Sequence, residues 1–246
     1  MINDLLLLSG NDIPFMPAQI TIHQPTIKEI AYLGEEVFFT GCQLLNFSKN
    51  ILSEEDKVNL ENHTNFDILI AILREQNAVM QKNRNCVNMV LALIFPDYHI
   101  TFEKDCIKLV KEKEEEEHKI DNSNYEEFKS IIGSMFSFGD KDASKPDLNP
   151  SGDLAKKIAE KLRKRHQKLA ETKPKEKIDI LSRYVSILTV GQQKDMNSLL
   201  NYTTYQLFDE FKRYELKVGH DIYVQAKMAG AKDLKEVEDW MQDIHS

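Results

Sequence analysis

Apolar residues recur at three- and four-residue spacing along most of this chain, and this spacing constrains the fold more than any other feature of the sequence. It is clear in the segments Asp67–Arg74 and Arg84–Phe95, and again from Leu154 onward. A repeat of this length places the apolar side chains on one face of an α-helix. Because Arg84–Phe95 is apolar on almost every side, we expect that helix to lie in the middle of a core. The spacing therefore predicts a protein dominated by helices.

Two capping boxes indicate where helices begin. Thr26 is followed three residues later by Glu29, and Thr203 is followed in the same way by Gln206. In each pair the threonine hydroxyl can accept the amide of the third helical residue, while the longer side chain reaches back to the threonine amide. The first box predicts a helix up to residue 33, a break at the next glycine, and a second helix over residues 35–45. The second box predicts a helix with one apolar side, formed by Leu207, Phe211, Tyr214, Val218 and Ile222.

Short apolar segments next to turn residues predict strands between these helices. The first pair is Asp4–Leu8 and Ile20–His23, and the second pair is Tyr98–Phe102 and Cys106–Val110. A strongly acidic run over residues 111–117 follows, and because its like charges repel one another we interpret it as a hairpin tip or an extended loop. The expected fold class is α+β and predominantly helical. A small antiparallel sheet and helices form the N-terminal part, and the C-terminal part is all helical.

The segment Gly139–Gly152 has the composition of a linker. It holds two prolines and two glycines together with several Asp, Ser and Asn residues. The sequence therefore predicts a mixed N-terminal domain over residues 1–138, a linker over 139–152 and a helical C-terminal domain over 153–246. Within the last part, Gly230 is expected to cap a helix at its C-terminus. A final amphipathic helix is expected from about Leu234 to Met241.

The bulk composition restricts the class of protein. The chain has 246 residues, a formal net charge of −8 and three cysteines that are far apart, which predicts buried free thiols rather than a disulfide framework. The longest apolar run, Met89–Phe95, is too short to span a bilayer. The apolar segment Leu5–Leu8 lacks the flanking sequence of a signal peptide. We therefore expect a cytoplasmic protein with no membrane partner.

The sequence lacks the standard motifs of catalysis and metal binding. The seven histidines are all more than five residues apart, so none forms the i, i+3 or i, i+4 pair of a helical zinc site. The segment Gly133–Asp140 has two glycines, but it carries an aspartate and lacks the lysine that a phosphate-binding loop needs. We expect a protein that is not an enzyme, with no catalytic residue, metal ligand or cofactor, and that works by binding another protein. Whether it forms a homo-oligomer stays open.

A basic segment follows the predicted linker. Between Asp153 and Lys177, ten Lys and Arg residues stand against four acidic residues. Such a helix can simply be a solvated face, it can contact an acidic protein surface, or it can contact nucleic-acid phosphates. No aromatic residues are interleaved with the basic ones, which disfavours nucleic acid as the partner. The candidate interface residues in this segment are Lys161, Arg163, Lys164 and Arg165.

The last predicted helix offers a second candidate interface. Its apolar residues can dock on the preceding helix as part of the core, or they can form an exposed anchor for a partner, since Trp and Met are enriched at protein interfaces. Both interpretations stay open, because little chain follows that could cover this helix. The candidate residues are Val237, Trp240 and Met241.

Several short segments of the sequence resemble proteins that are encoded by tailed phages and prophages of Gram-positive bacteria of the Firmicutes. Among these proteins, the chain is most similar to a tail assembly chaperone. The resemblance covers both halves of the chain, and it depends on these short segments rather than on a catalytic signature. The segments are Ile20–Ile30, Leu33–Gly41, Tyr205–Phe211, Tyr223–Ala231 and Asp239–His245.

The resemblance implies a role in tail morphogenesis, in the cytoplasm of the bacterial host. Chaperones of this type keep the long helical tape measure protein soluble until tube subunits polymerise around it, so the implied partners are the tape measure protein and, second, the tail tube protein. One competing interpretation is a structural virion protein of the tail or neck. Another is a nucleic-acid-binding regulator that uses the basic segment 153–177.

Overall fold

The computed structural model describes residues 2–49, 62–74, 78–111, 116–136, 179–231, 237–242 and 244. The fold is mixed α and β and mostly helical, with small antiparallel sheets, which confirms the predicted fold class. The elements of the first half are α1 (Asp4–Ser9), β1 (Ile13–Phe15), β2 (Ile20–Ile22), α2 (Ile27–Leu33), α3 (Glu35–Leu45), α4 (Asn65–Arg74) and α5 (Ala78–Ile94). The remaining elements are β3 (Tyr98–Phe102), β4 (Cys106–Lys111), β5 (Glu117–Asp121), α6 (Tyr125–Met135), α7 (Ile180–Gln192), α8 (Met196–Leu200) and α9 (Thr204–Met228).

The first predicted strand is wrong, because Asp4–Ser9 forms helix α1. The Asn3 side chain accepts the Leu5 amide at 2.9 Å, and Gly10 ends the helix in the left-handed conformation with φ 69°. Leucine has a high helix propensity and no β-branch, so a run of leucines between two capping residues favours a helix. The second predicted strand is confirmed as β2, which pairs with the unpredicted β1 through a 3₁₀ turn over Met16–Ala18.

The three-stranded sheet has the order β3–β4–β5 and is antiparallel throughout. Strands β3 and β4 confirm the second predicted pair. Strand β5 was not predicted, because the charge pattern indicated a loop. The acidic run was expected to be a hairpin tip or loop up to residue 117, but Glu117 already pairs with Val110. Buried His118 points to the core side, where its Nδ1–H donates to the Ala18 carbonyl at 2.9 Å and ties the sheet to the 3₁₀ turn.

The helices after β2 follow the capping box at Thr26. Its hydroxyl accepts the Glu29 amide at 3.2 Å, and the Glu29 carboxylate accepts the Thr26 amide at 2.7 Å. Helix α2 ends at Gly34 and α3 begins at once, as predicted. Helix α5 differs from the expectation of burial on all sides. Val87 and Val90 are fully buried, but Met89 is 49% exposed, because only one side of α5 is packed against α3 and α4.

One hydrophobic cluster draws on both predicted parts of the chain. Phe95 and Phe128 stack at 6.1 Å near its centre, and the Tyr125 hydroxyl donates to the Leu45 carbonyl at 2.9 Å. From the C-terminal part, α7, α8 and the start of α9 contribute a set of buried aliphatic residues to the same cluster. These are Leu181, Val185, Leu188, Leu199 and Leu207.

The division into domains stays a prediction, since the linker 139–152 lies outside the described residues. The three cysteines are buried and free, as predicted. In the described part of the chain, no helix combines the length and the apolar composition that crossing a membrane requires.

Candidate protein-interaction surface

The start of helix α9 is fixed firmly to the rest of the molecule. Thr203 caps the helix in the predicted box with Gln206, and the side-chain amide nitrogen of Gln206 also donates to the Leu8 carbonyl at 2.7 Å. The Thr204 hydroxyl donates to the Met135 carbonyl of α6 at 3.2 Å. Thr203 forms an isolated antiparallel bridge with Thr26, so that the two capping boxes lie side by side. The N-terminus of α9 is therefore held by α1, α2 and α6.

Helix α7 covers the next part of α9. The rings of Tyr184 and Phe211 stack with centroids 3.7 Å apart, and Phe208 contacts the edge of Tyr184 at 5.6 Å. Close to the end of α7, a Cβ placed on Gly191 would lie 2.1 Å from the hydroxyl of Tyr214, so the lack of a side chain lets this tyrosine approach. This aromatic packing fixes the crossing of the two helices as far as Tyr214.

Beyond Tyr214, no such aromatic contact covers the same side of α9 among the described residues. The apolar residues of this side become steadily more accessible along the helix: Leu207 is fully buried, Phe211 and Tyr214 are half-buried, Val218 is 36% exposed and Ile222 is 61% exposed. From residue 215 to residue 231 none of the described residues is buried. We call Val218 and Ile222 the outer stripe. It continues the core-facing side of α9 into solvent, and it is the candidate interaction surface.

The two helix lengths explain the outer stripe. Helix α7 has 13 residues and α9 has 25. At 1.5 Å per residue they extend over about 20 Å and about 38 Å, so α7 is too short to cover its neighbour. The sequence placed Val218 and Ile222 on the apolar side of this helix but did not single them out as interface residues. The apolar repeat of α9 is longer in sequence than that of α7. This difference in length would have indicated that Val218 and Ile222 extend beyond α7.

The apolar residues near the C-terminus lie in a different structure from the one predicted. The expected helix is wrong over residues 237–241, where the backbone is not helical and forms a turn at residues 240 and 241. The carboxylate and carbonyl of Asp239 accept the amides of Met241 and Gln242, at 2.9 and 3.1 Å, and such local bonds compete with helical ones. Val237 is 41% exposed and Met241 is 69% exposed, while Trp240 is half-buried. Residues 234–236 of the predicted helix lie outside the described residues.

The basic candidate residues cannot be placed on this surface, because Lys161, Arg163, Lys164 and Arg165 lie outside the described residues. Arg213 on α9 is a basic residue outside the predicted interface set. Its guanidinium donates to the carbonyls of Trp240 and Gln242, at 3.4 and 3.1 Å, and so connects α9 to the C-terminal segment. No sequence signal distinguished Arg213 from the other basic residues of the chain.

Titratable residues group at two other places. In the turn between β3 and β4, ligand atoms of Glu103, Asp105 and Cys106 lie within 4.8 Å of one another, the one such group of metal-ligand type among the described residues. Burial and the nearby Glu103 carboxylate raise the pKa of the Cys106 thiol. The Cys106 thiol donates to the Glu103 carboxylate at 3.7 Å, so these two side chains form a contact within the turn.

The other group surrounds His23. Its Nδ1 lies 2.9 Å from Asp12 Oδ1, and its Nε2 lies 3.3 Å from Glu29 Oε1. Partial burial alone would lower the pKa of His23, but the hydrogen bonds to the two carboxylates outweigh it and the pKa is raised. Because Glu29 is also the capping residue of α2, this group stabilises the start of that helix.

One part of the chain matches a known family. Residues 173–245 match the family model described as the YomV second domain, which is associated with phages and prophages. The match covers less than a third of the chain, and it includes α7, α8 and α9 together with the C-terminal segment. No curated protein and no solved structure matches this chain. The candidate interaction surface therefore lies within the segment that is similar to a phage-associated domain.

Proposed function

We propose that this protein is a phage tail assembly factor that binds the tape measure protein during tail morphogenesis, without catalysing a reaction, and that it holds this partner on the outer stripe of α9. The observation that carries the proposal is the graded exposure of one helix side, from fully buried Leu207 to Ile222 at 61%. A helix side that is built as core and left uncovered is a common docking site for an amphipathic partner helix.

Two further observations support this role. The similarity of residues 173–245 to a phage-associated domain favours a function in the phage life cycle. Charged residues surround the outer stripe and are paired with one another, as in Lys217–Asp221 at 2.7 Å and Lys212–Glu215 at 3.5 Å. A charged rim around an apolar centre keeps a complex dissolved while its apolar part is covered. A chaperone for an aggregation-prone helical protein needs this combination.

The first experiment is co-expression with the tape measure protein of the same phage, followed by affinity purification of this chain. The wild type should keep the tape measure protein soluble and retain it. Ile222→Asp should reduce retention by about tenfold or more, because losing an interface anchor costs roughly 1.4 kcal/mol or more. Val190→Asp is the matched control, since Val190 is a 79% exposed valine on α7 that lies off the stripe.

Equal retention by Ile222→Asp and Val190→Asp contradicts the assignment of the surface. An insoluble tape measure protein in the presence of wild type contradicts the chaperone role itself. Mass spectrometry of purified virions separates the competing structural role, because an assembly chaperone should be missing from mature particles, whereas a tail or neck component should be present at a fixed copy number.

A further inference from the structure

The two edge strands of the three-stranded sheet differ in how they are protected. Strand β5 carries the charged residues Glu117, Lys119 and Asp121, and its His118 is hydrogen-bonded to the 3₁₀ turn. Strand β3, at the other edge, has the sequence Tyr-His-Ile-Thr-Phe over residues 98–102, without a lysine, a carboxylate or a proline. Proteins usually block an exposed edge with charges, proline or a bulge, because an open edge pairs with other strands. Strand β3 lacks the first two of these devices, and its continuous register with β4 shows that it lacks the third.

The backbone of β3 presents hydrogen-bonding groups on the side away from β4. The Glu103 amide donates to the Cys106 carbonyl at 2.9 Å, so residues 99, 101 and 103 direct their amides and carbonyls towards β4. The amides and carbonyls of Ile100 and Phe102 therefore point outward. Within the described part of the chain, no residue forms a hydrogen bond with these outward groups. They are a template for a further strand.

The side chains of the same two residues add apolar surface to this edge. Ile100 and Phe102 lie on the core face of the sheet, opposite Leu109 and Ile107 of β4. Both are only half-buried, although their partners in β4 are fully buried. The guanidinium of Arg84 on α5 lies over the Phe102 ring, 5.4 Å from its centroid. A strand added along β3 would cover what remains exposed of these two side chains.

We propose that a second copy of this chain pairs with this edge, with β3 antiparallel to β3 of the second copy about a two-fold axis at Thr101, so that two three-stranded sheets become one sheet of six strands. This register places Ile100 opposite Phe102 of the second copy, and its four intermolecular hydrogen bonds use every outward group of these residues in both copies. Registers that also use Tyr98 lose a bond, because its amide already donates to the Phe95 carbonyl at 3.1 Å.

The side chains on the solvent face are complementary in the same register. His99 faces Glu103 of the second copy, and Thr101 faces its own counterpart; both are non-hydrogen-bonded pairs, in which side chains approach most closely. The imidazole can donate to the carboxylate, and the two threonine hydroxyls can bond each other. His99 and Glu103 are both exposed in the single chain. Because the two-fold axis repeats the His–Glu pair, this edge matches itself, which favours a second copy over an unrelated strand.

Analytical ultracentrifugation of the full-length protein over a series of concentrations tests the dimer. The wild type should show a reversible monomer–dimer equilibrium. Thr101→Lys should weaken the dimer by about tenfold or more, because two ammonium groups then face each other at the axis. Thr21→Lys is the matched control, since it makes the same change at an exposed position of β2 in the other sheet. Circular dichroism checks that both variants keep their fold. A wild type that stays monomeric, or a dimer that Thr101→Lys weakens no more than Thr21→Lys does, overturns the proposal.

A mixing experiment tests the register. Thr101→Lys mixed with Thr101→Glu should restore the dimer, because opposite charges then face each other at the axis; without this restoration the two-fold axis at Thr101 is wrong. Ile222→Asp separates the β3 edge from the outer stripe and should leave the dimer unchanged. A dimer that is lost in Ile222→Asp but kept in Thr101→Lys assigns self-association to α9 and overturns the proposal. None of these measurements involves the tape measure protein, so they are independent of the proposed function.

Discussion

At the scale of single residues, Gly41 determines how closely α3 and α5 approach. A Cβ at this position would lie 2.6 Å from the Cys86 carbonyl oxygen and 2.6 Å from a methyl carbon of Val90. The first of these is backbone, which cannot move aside as a side chain can. The glycine therefore permits a helix crossing that any other residue would widen, and Cys42 next to it is fully buried in the same contact region.

We expect Gly41→Ala to lower the free energy of unfolding by about 1–3 kcal/mol, because overpacking a well-filled core forces helices apart. Gly219→Ala is the control: it lies within α9, and a Cβ there meets no atom within 4 Å. This second change should stabilise the protein by roughly 0.5–1 kcal/mol through helix propensity. Urea unfolding of both variants checks the pair, and a Gly41→Ala protein as stable as wild type contradicts the packing described.

His23 is the residue whose charge state should affect stability near neutral pH. Its pKa is raised by Asp12 and Glu29, so the folded state binds the proton more strongly than the unfolded state. The stabilisation is fully present below the unfolded pKa, about 6.5, and is lost as the pH rises through the folded value. After allowance for solvent screening we expect a loss of about 0.5 kcal/mol between pH 6 and pH 9. His23→Gln should remove this part of the pH dependence, as measured by denaturant unfolding at both pH values; an unchanged pH profile in the variant argues against it.

At the scale of elements, α7 begins on a cap that comes from a distant part of the chain. The Asp179 side chain makes no capping bond, and instead the Glu35 carboxylate accepts the amides of Ile180 and Leu181, the latter at 3.1 Å. Desolvation raises the pKa of Glu35, although these backbone amides act in the opposite direction. The cap joins the first turn of α3 to the first turn of α7, and no local sequence pattern near residue 180 indicates it.

Glu35→Ala should therefore destabilise the protein by about 1 kcal/mol, the usual cost of losing a helix cap. Glu36→Ala removes a neighbouring acid from the same first turn of α3, where the carboxylate forms an exposed pair with Lys82 at 3.8 Å. Exposed pairs of this kind contribute little, so this control should change stability by no more than about 0.5 kcal/mol. Thermal unfolding of both variants checks this comparison. Equal effects would show that the cap that Glu35 provides to α7 is not stabilising.

At the scale of the whole molecule, α7, α8 and the start of α9 complete the core of the preceding part of the chain. The Ile27 amide donates to the Tyr202 carbonyl at 2.8 Å, beside the bridge between Thr26 and Thr203. Leu199 and Leu207 are fully buried in the shared cluster. The N-terminal part alone would therefore expose apolar surface that the C-terminal part now covers.

This arrangement predicts the behaviour of the cleaved protein. With a protease site inserted between residues 139 and 152, cleavage should leave two fragments that elute together in size-exclusion chromatography, because the shared core holds them without a covalent link. Leu207→Ala should weaken this association, since deleting a buried leucine costs about 2–5 kcal/mol. Fragments that separate under native conditions would contradict the shared core and favour two independent domains.

Much of the fold could be predicted from local sequence, because local physics controls it. The two capping boxes place the starts of α2 and α9 through hydrogen bonds within four residues, and Gly34 and Gly230 mark helix ends by their backbone freedom. The apolar repeat of α9 likewise needs only the helical period. The strand β5 and the short helix α1 were missed, because β5 depends on pairing with β4 and α1 has only six residues, too few for its apolar residues to show a helical repeat.

The sequence by itself determined which side of each helix is apolar, and the tertiary structure alone decided which of those sides is covered. The repeat that contains Leu207 and Ile222 is uniform in sequence, yet one end is buried and the other is exposed, because α7 ends before α9 does. The same holds for Glu35 and Arg213, whose partners lie 145 and 27 or more residues away in the chain. Burial and long-range hydrogen bonds depend on how elements of different length meet, and that is a property of the assembled chain.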